Sequence, residues 1–361
     1  RQHRLANVHR KVQHFSMRRV KSEELGISLS YILGSFEEDA KQATGLEDPH
    51  FHDIAKSLFY GENAKGYGKR CPRDGRLGCA FVDALPPHDV GEATVFLSWV
   101  WSYSISVYQG ALREWVVVNK LDPTKEFVWC CAMCNNQFRI FEEKAAAGSA
   151  ADSGDLEAIF RGRLEHIGRM IALWDTWQCP TYLTRVWCIY EQYVALTLGI
   201  DVDVIMPPRA RTAFLSALDS PQGRTQFVDA IHGINSARAK SSVLADEAKV
   251  KAIIHRGAGF ETVDNLVKTS LTDWFAEAFR QNMVKEARHR DVKNLVKEAR
   301  HRLVSEQNTE RHQAEHRKAE DTEQNTDGDS DLGSQDAATQ NRVLAALRTA
   351  RSSVNGAGYS Q

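Results

Sequence analysis

Apolar residues are not spread evenly along this chain. They come in short runs separated by segments of helical spacing. Thr94 to Trp99 is a compact apolar run suited to a buried strand, and Ile105, Tyr108, Leu112 and Trp115 follow it at the three- and four-residue intervals of one helix face. Phe127 to Cys134 reads as a second strand-type run, Met170 to Trp174 as a third and Val202 to Met206 as a fourth. Helical spacing returns over Leu156 to His166, Thr184 to Leu198 and Arg209 to Leu218. Strands that are apolar on both faces and alternate with helices predict a parallel sheet covered on both sides. In such a sheet the ligand crevice lies at the carboxyl ends of the strands.

Outside that alternating core the text changes character. Residues 1–59 are expected to be a basic, helical N-terminal segment. Its first 21 residues carry Arg1, Arg4, Arg10, Lys11, Arg18, Arg19 and Lys21 with no acid, and Leu5, Val8, Val12 and Phe15 recur at helical spacing. Residues 60–92 are rich in glycine and proline and read as loops with a short hairpin. Gly61 and Gly66 have the spacing of a phosphate-binding loop, but Tyr67 and Gly68 occupy the places of its lysine and hydroxyl residue, so that motif is absent. The alternating domain spans 93–235. Residues 236–303 read as a helical extension, in which the word VKEARHR occurs at Val284 to Arg290 and again at Val296 to Arg302. A shift of twelve residues rotates a helix by about 120°, so the two copies share no single stripe. Val292, Leu295, Ala299 and Leu303 form only a short apolar seam. Residues 304–361 are expected to be a disordered tail, since aromatic residues vanish until Tyr359 and Asp321 to Asp336 holds six acids and no base. Within that tail, Arg342 to Arg351 has the spacing of a short late helix.

Charge and composition narrow the function classes. Of 361 residues, 46 are Lys or Arg and 47 are Asp or Glu, for a formal net charge of -1, so no global field favours nucleic acid and no clear nucleic-acid site is expected. No apolar run is long enough to span a bilayer and no signal-type segment opens the chain, which sets the expectation of a cytoplasmic protein. Seven cysteines at irregular spacing are no disulfide framework. Cys131 and Cys134 form a lone CxxC with no second pair nearby, so no metal is expected there, and a zinc or redox role for Cys130, Cys131 and Cys134 is the most distant reading.

The most informative stretch is Thr181 to Leu196, TYLTRVWCIYEQYVAL. Between Val186 and Leu196 the only strongly polar side chains are Glu191 and Gln192. A carboxylate in that setting is a surface group or a partly buried one of raised proton affinity, and the latter is a candidate for chemistry.

The order FLSW (Phe96 to Trp99), FVWCCAMCNNQF and RMIALWDTWQCPTYLTRVWCIYEQYVAL resembles the Toll/interleukin receptor (TIR) domain superfamily, in divergent, protist-type form. The motif WCxxE falls at Trp187, Cys188 and Glu191, and a CPRDG stretch, Cys71 to Gly75, precedes the first strand. The resemblance covers about residues 93–235. It implies a three-layer, flavodoxin-like α/β domain and an intracellular signalling role. It also implies cleavage of the nicotinamide–ribose bond of NAD, with NAD or a related nucleotide as substrate rather than cofactor and Glu191 as the catalytic carboxylate. Asn135, Gln137 and Arg139 then stand in a loop that helps close the site, Trp99 and Trp101 are candidates for stacking on a base, and Trp187 positions the helix. The family's charged residues after the first strand are replaced here by Val100, Trp101, Ser102 and Tyr103, and its serine-rich loop is reduced to Thr181 and Thr184. TIR domains also act as non-catalytic modules that self-associate, which is the alternative function.

Overall fold

The structure is a computed structural model and describes residues 20–147 and 156–324. The basic stretch of residues 1–19 and the late helix of residues 342–351 lie outside the described residues, as does the tail beyond Gln324. The chain divides into two compact units, one ending at Glu286 and the other beginning at Ala287.

The first unit is built on a six-stranded mixed sheet, so the protein is of the α/β class. The strands are β1 (Leu25–Ser28), β2 (Val90–Glu92), β3 (Val95–Ser98), β4 (Phe127–Trp129), β5 (Met170–Leu173) and β6 (Val202–Ile205), in the order β2-β1-β4-β3-β5-β6. β4, β3, β5 and β6 are parallel, whereas β1 pairs antiparallel with both β2 and β4. All four residues of β3 and all four of β5 are buried, as strands covered by helices on both faces require.

Three expectations change here. The sheet is mixed, because β1 and β2 join it from segments read as helix and loop. Each is too short, at four and three residues, to show alternation in the sequence. Their entry depends on glycine. A Cβ on Gly26 would stand 2.9 Å from the Phe127 backbone, and one on Gly91 would stand 2.7 Å from the Phe127 ring. Second, the run Phe127 to Cys134 is strand only as far as Trp129, and Cys131–Cys134 forms one turn of helix whose Cys134 N–H reaches the Cys130 carbonyl at 2.8 Å. Third, the final helix runs Phe260–Gln324 and so continues through residues 304–324, where a disordered tail was expected. Polar and aromatic-poor composition suits a solvated helix as well as a coil, and the two are not separated by hydropathy.

The helices between the parallel strands fall close to their expected places. Ile105–Asn119 starts at Ser104, whose side chain accepts the Val107 N–H, and ends at Lys120 in the left-handed region with φ 53°. Leu156–Ile167, Val186–Thr197 and Pro208–Leu218 complete the set, the last with proline in its first turn. Within Tyr60 to His88 an isolated antiparallel bridge joins Arg70 and Leu77. Ahead of it Lys56–Tyr60 is a π-helical turn closed by the Gly61 N–H on the Lys56 carbonyl at 2.7 Å. In the second unit the helix is exposed on its apolar seam, with Val292, Leu295 and Ala299 open to solvent.

Candidate functional site

The parallel strands run β4-β3-β5-β6, so the chain crosses to one side of β3 to form β4 and to the other side to form β5. That reversal makes a topological switch point between β3 and β5. Ser98 is the last residue of β3 and pairs with Ala172 of β5, which places its hydroxyl at the carboxyl edge of the switch point.

Glu191 meets Ser98 there. It lies in the helix Val186–Thr197, whose start is pinned when the Val186 N–H donates to the Lys240 carbonyl at 3.0 Å and the Lys240 N–H to the Thr184 carbonyl at 2.9 Å. Glu191 as a residue keeps intermediate exposure, but its carboxyl group is enclosed by protein. The Ser98 hydroxyl donates to Glu191 Oε2 in a short hydrogen bond. Behind Ser98 stands the fully buried Tyr182, whose hydroxyl lies 2.9 Å from Ser98 Oγ and 3.1 Å from the Cys188 carbonyl oxygen. Carboxyl, serine, phenol and backbone carbonyl thus form one relay. With Glu191 ionised, Ser98 donates to it and accepts from Tyr182. With Glu191 protonated, the hydrogens can run the other way and Tyr182 can serve the carbonyl.

Burial dominates the electrostatics. Loss of water pushes the Glu191 carboxyl up to about 8, and the Ser98 hydrogen bond pulls weakly in the other direction. No guanidinium or ammonium is paired with it among the described residues. Instead it faces thiols, and its negative charge adds to burial in raising Cys131 and Cys188. Cys130 and Cys134 are pushed up to about 12 by burial, so these thiols stay protonated at neutral pH. Among the described residues no cluster of three or more His, Cys, Asp or Glu side chains has the form of a metal site.

The residues singled out from the sequence divide into two groups. Trp101 and Glu191 both bear on the Cys131 thiol, which burial raises most, the Glu191 charge raises further and the Trp101 side chain lowers, and Gln137 donates to the Cys131 carbonyl at 2.8 Å. Trp101 is partly exposed and lies beside His52, with ring centroids 5.9 Å apart. Trp99 is only 5% exposed and packs on Phe51, Tyr108 and Trp101, so its ring is core rather than a free stacking face. Trp187 is partly buried against the core. Arg139 is committed elsewhere. Its guanidinium pairs with Asp74 at 2.6 Å and Glu142 at 3.2 Å and donates to the Leu77 carbonyl at 3.0 Å. Asn135 ends the Cys131–Cys134 turn, and the neighbouring Asn136 is buried and donates to the Gly78 carbonyl at 3.0 Å.

Two participants had no sequence signal. Tyr182 is one of several aromatics in its stretch, and nothing in its spacing marks the hydroxyl that reaches Ser98. Asp175 organises the loop after β5 by accepting the Thr181 N–H at 2.9 Å and the Thr176 N–H at 3.1 Å. The Tyr103 hydroxyl, at 3.2 Å from the Leu173 carbonyl and 3.4 Å from Asp175 Oδ1, ties the end of β5 to the same loop. Beside Glu191, Gln192 is fully buried with neither amide atom paired among the described residues.

No family model, curated protein or solved structure matches this chain.

Proposed function

We propose that this protein is a TIR-like signalling enzyme that cleaves the nicotinamide–ribose bond of NAD or a related nucleotide, with Glu191 as its catalytic carboxylate. The observation that supports the reading is a carboxyl, pushed up to about 8 and paired with no base among the described residues, at the carboxyl edge of the switch point between β3 and β5. Nicotinamide in NAD carries a positive ring. Its approach favours the ionised carboxylate, so substrate binding itself drives Glu191 to release its proton. The C–N bond then breaks with its electron pair staying on the pyridine nitrogen, nicotinamide leaves neutral, and the carboxylate stabilises the positive charge that develops on the ribose. Water adds to the anomeric carbon and gives up a proton to Glu191 or to solvent. Ser98 and Tyr182 hold the carboxyl in place, and of Trp99 and Trp101 the partly exposed Trp101 is the candidate to stack on a base.

The test is nicotinamide release by the full chain at high protein concentration, beside Glu191→Gln. The expected result is turnover whose kcat/KM rises with pH toward about 8 and is lost in the variant. Folded protein that releases no nicotinamide in either form refutes the reading. It would favour the second function, self-association as a non-catalytic module.

A further inference from the structure

A cleft of about 830 Å³ opens beside the π-helical turn, and neither Trp101 nor any residue of the Glu191 relay lines it. Its volume falls within the range of small-molecule sites, roughly 300–1,000 Å³. The turn Lys56–Tyr60 and the start of the helix Gln137–Ala147 form its walls. Phe59, on the same turn, packs edge-on against Trp101 with ring centroids 6.3 Å apart.

The chemistry of the lining is specific. Tyr60 and Phe141 lie nearly parallel, with an interplanar angle of 15° and centroids 5.0 Å apart. Phe141 is nevertheless 55% exposed, and so is Tyr67. Large aromatic side chains so exposed, beside a concavity, are a stacking surface for a flat ring. Polar groups stand in the same lining. The Lys56 ammonium, the Glu62 carboxylate, the Asn63 amide and the hydroxyls of Tyr60 and Tyr67 make no hydrogen bond or ion pair among the described residues. Backbone geometry keeps the turn in place. A Cβ on Gly61 would stand 2.4 Å from the Lys56 carbonyl oxygen, so only glycine closes the π turn there. Such turns interrupt helices frequently at functional sites.

We propose that this cleft binds a nucleoside unit, a flat heteroaromatic base carrying a ribose. The base stacks on the free face of Phe141 within the Tyr60–Phe141 pair. The Glu62 carboxylate and Asn63 amide serve the vicinal hydroxyls, for which an unpaired acceptor and a donor–acceptor amide are the matching groups. Lys56 is the cation for a phosphate when the ligand is a nucleotide. The site stands apart from the proposed chemistry at Glu191, and its occupancy does not depend on that chemistry.

Adenosine and AMP are suitable probes, titrated into the full chain by isothermal calorimetry, with ribose 5-phosphate as the control that lacks a ring. The expected result is saturable binding of adenosine, AMP or both at one site, with none for ribose 5-phosphate. Phe141→Ser should weaken it about tenfold or more, as loss of a base-stacking ring does. Lys56→Gln separates the sources: it weakens AMP toward adenosine if the phosphate is held, and leaves both unchanged if the nucleoside alone is recognised. Phe141 is exposed, so its replacement leaves the core intact, and Tyr67→Ser is a second variant on the same wall. Glu191→Gln should leave the affinity unchanged. Absence of saturable binding, binding that survives both Phe141→Ser and Tyr67→Ser, or binding lost in Glu191→Gln would overturn the assignment.

Discussion

Replacing Glu191 by Gln should change how stability depends on pH, and the sign follows from the environment of the carboxyl. Burial raises it to about 8 in the folded protein from an ordinary 4.5. Below the ordinary value the group is protonated in both folded and unfolded chains and contributes no slope. Between the two values the unfolded chain has lost the proton and the native chain keeps it, so stability falls as pH rises, by up to about 1.4 kcal/mol per pH unit. Above about 8 both states are ionised and the full penalty of a buried charge remains. Gln keeps the size of the side chain and an oxygen that accepts from Ser98, but it carries no titrating proton. Between about pH 5 and pH 7.5 the variant should therefore gain on the wild type by up to about 3 kcal/mol, and less where water reaches the carboxyl. Urea unfolding followed by tryptophan fluorescence at four or five pH values measures this, because contributions from all other groups cancel in the difference. A difference that stays flat with pH would show that Glu191 titrates normally in the native state, and the burial argument would fail.

Other substitutions test neighbouring parts of the structure. Tyr182→Phe removes the hydroxyl shared by Ser98 and the Cys188 carbonyl, and should cost about 1–3 kcal/mol while moving the Glu191 midpoint upward, since the ionised carboxylate loses support; an unchanged midpoint in the pH–stability difference would break the relay. Gln192→Met fills the same volume without the unpaired buried amide and should raise the urea midpoint, by about 1–3 kcal/mol of stability; a loss of stability would mean that the amide is satisfied in solution. Gly26→Ala drives a Cβ against the Phe127 backbone and should destabilise the antiparallel edge by about 1–3 kcal/mol, read by thermal melting, and a neutral effect would place β1 differently.

The parallel part of the fold was legible in the sequence because its signals are local. Val95–Ser98 and Met170–Leu173 are apolar runs bounded by turns, Val202–Ile205 keeps three apolar residues around the exposed Asp203, and the helices between them carry three- and four-residue spacing. The chemistry of Glu191 was half legible. Its setting among apolar neighbours marks a carboxyl with few polar partners, and the segment after β5 places it near strand ends. β1 and β2 were hidden. Strands of four and three residues have no measurable period, and β1 finds its partners far along the chain, β2 about 65 positions on and β4 about a hundred.

Tertiary structure alone decided the rest. Only packing shows that Arg139 is held by Asp74 and Glu142 and that the Trp99 ring is core while Trp101 is partly exposed. A hydrogen bond from Ser98 to Glu191 joins residues 93 positions apart, and one from Tyr182 to Ser98 joins residues 84 apart. The aromatic cleft assembles Lys56, Tyr67 and Phe141 from three separate stretches. Secondary structure follows from neighbours in the chain, which the sequence records directly; proton affinity and the free face of a ring depend on neighbours in space, which it does not.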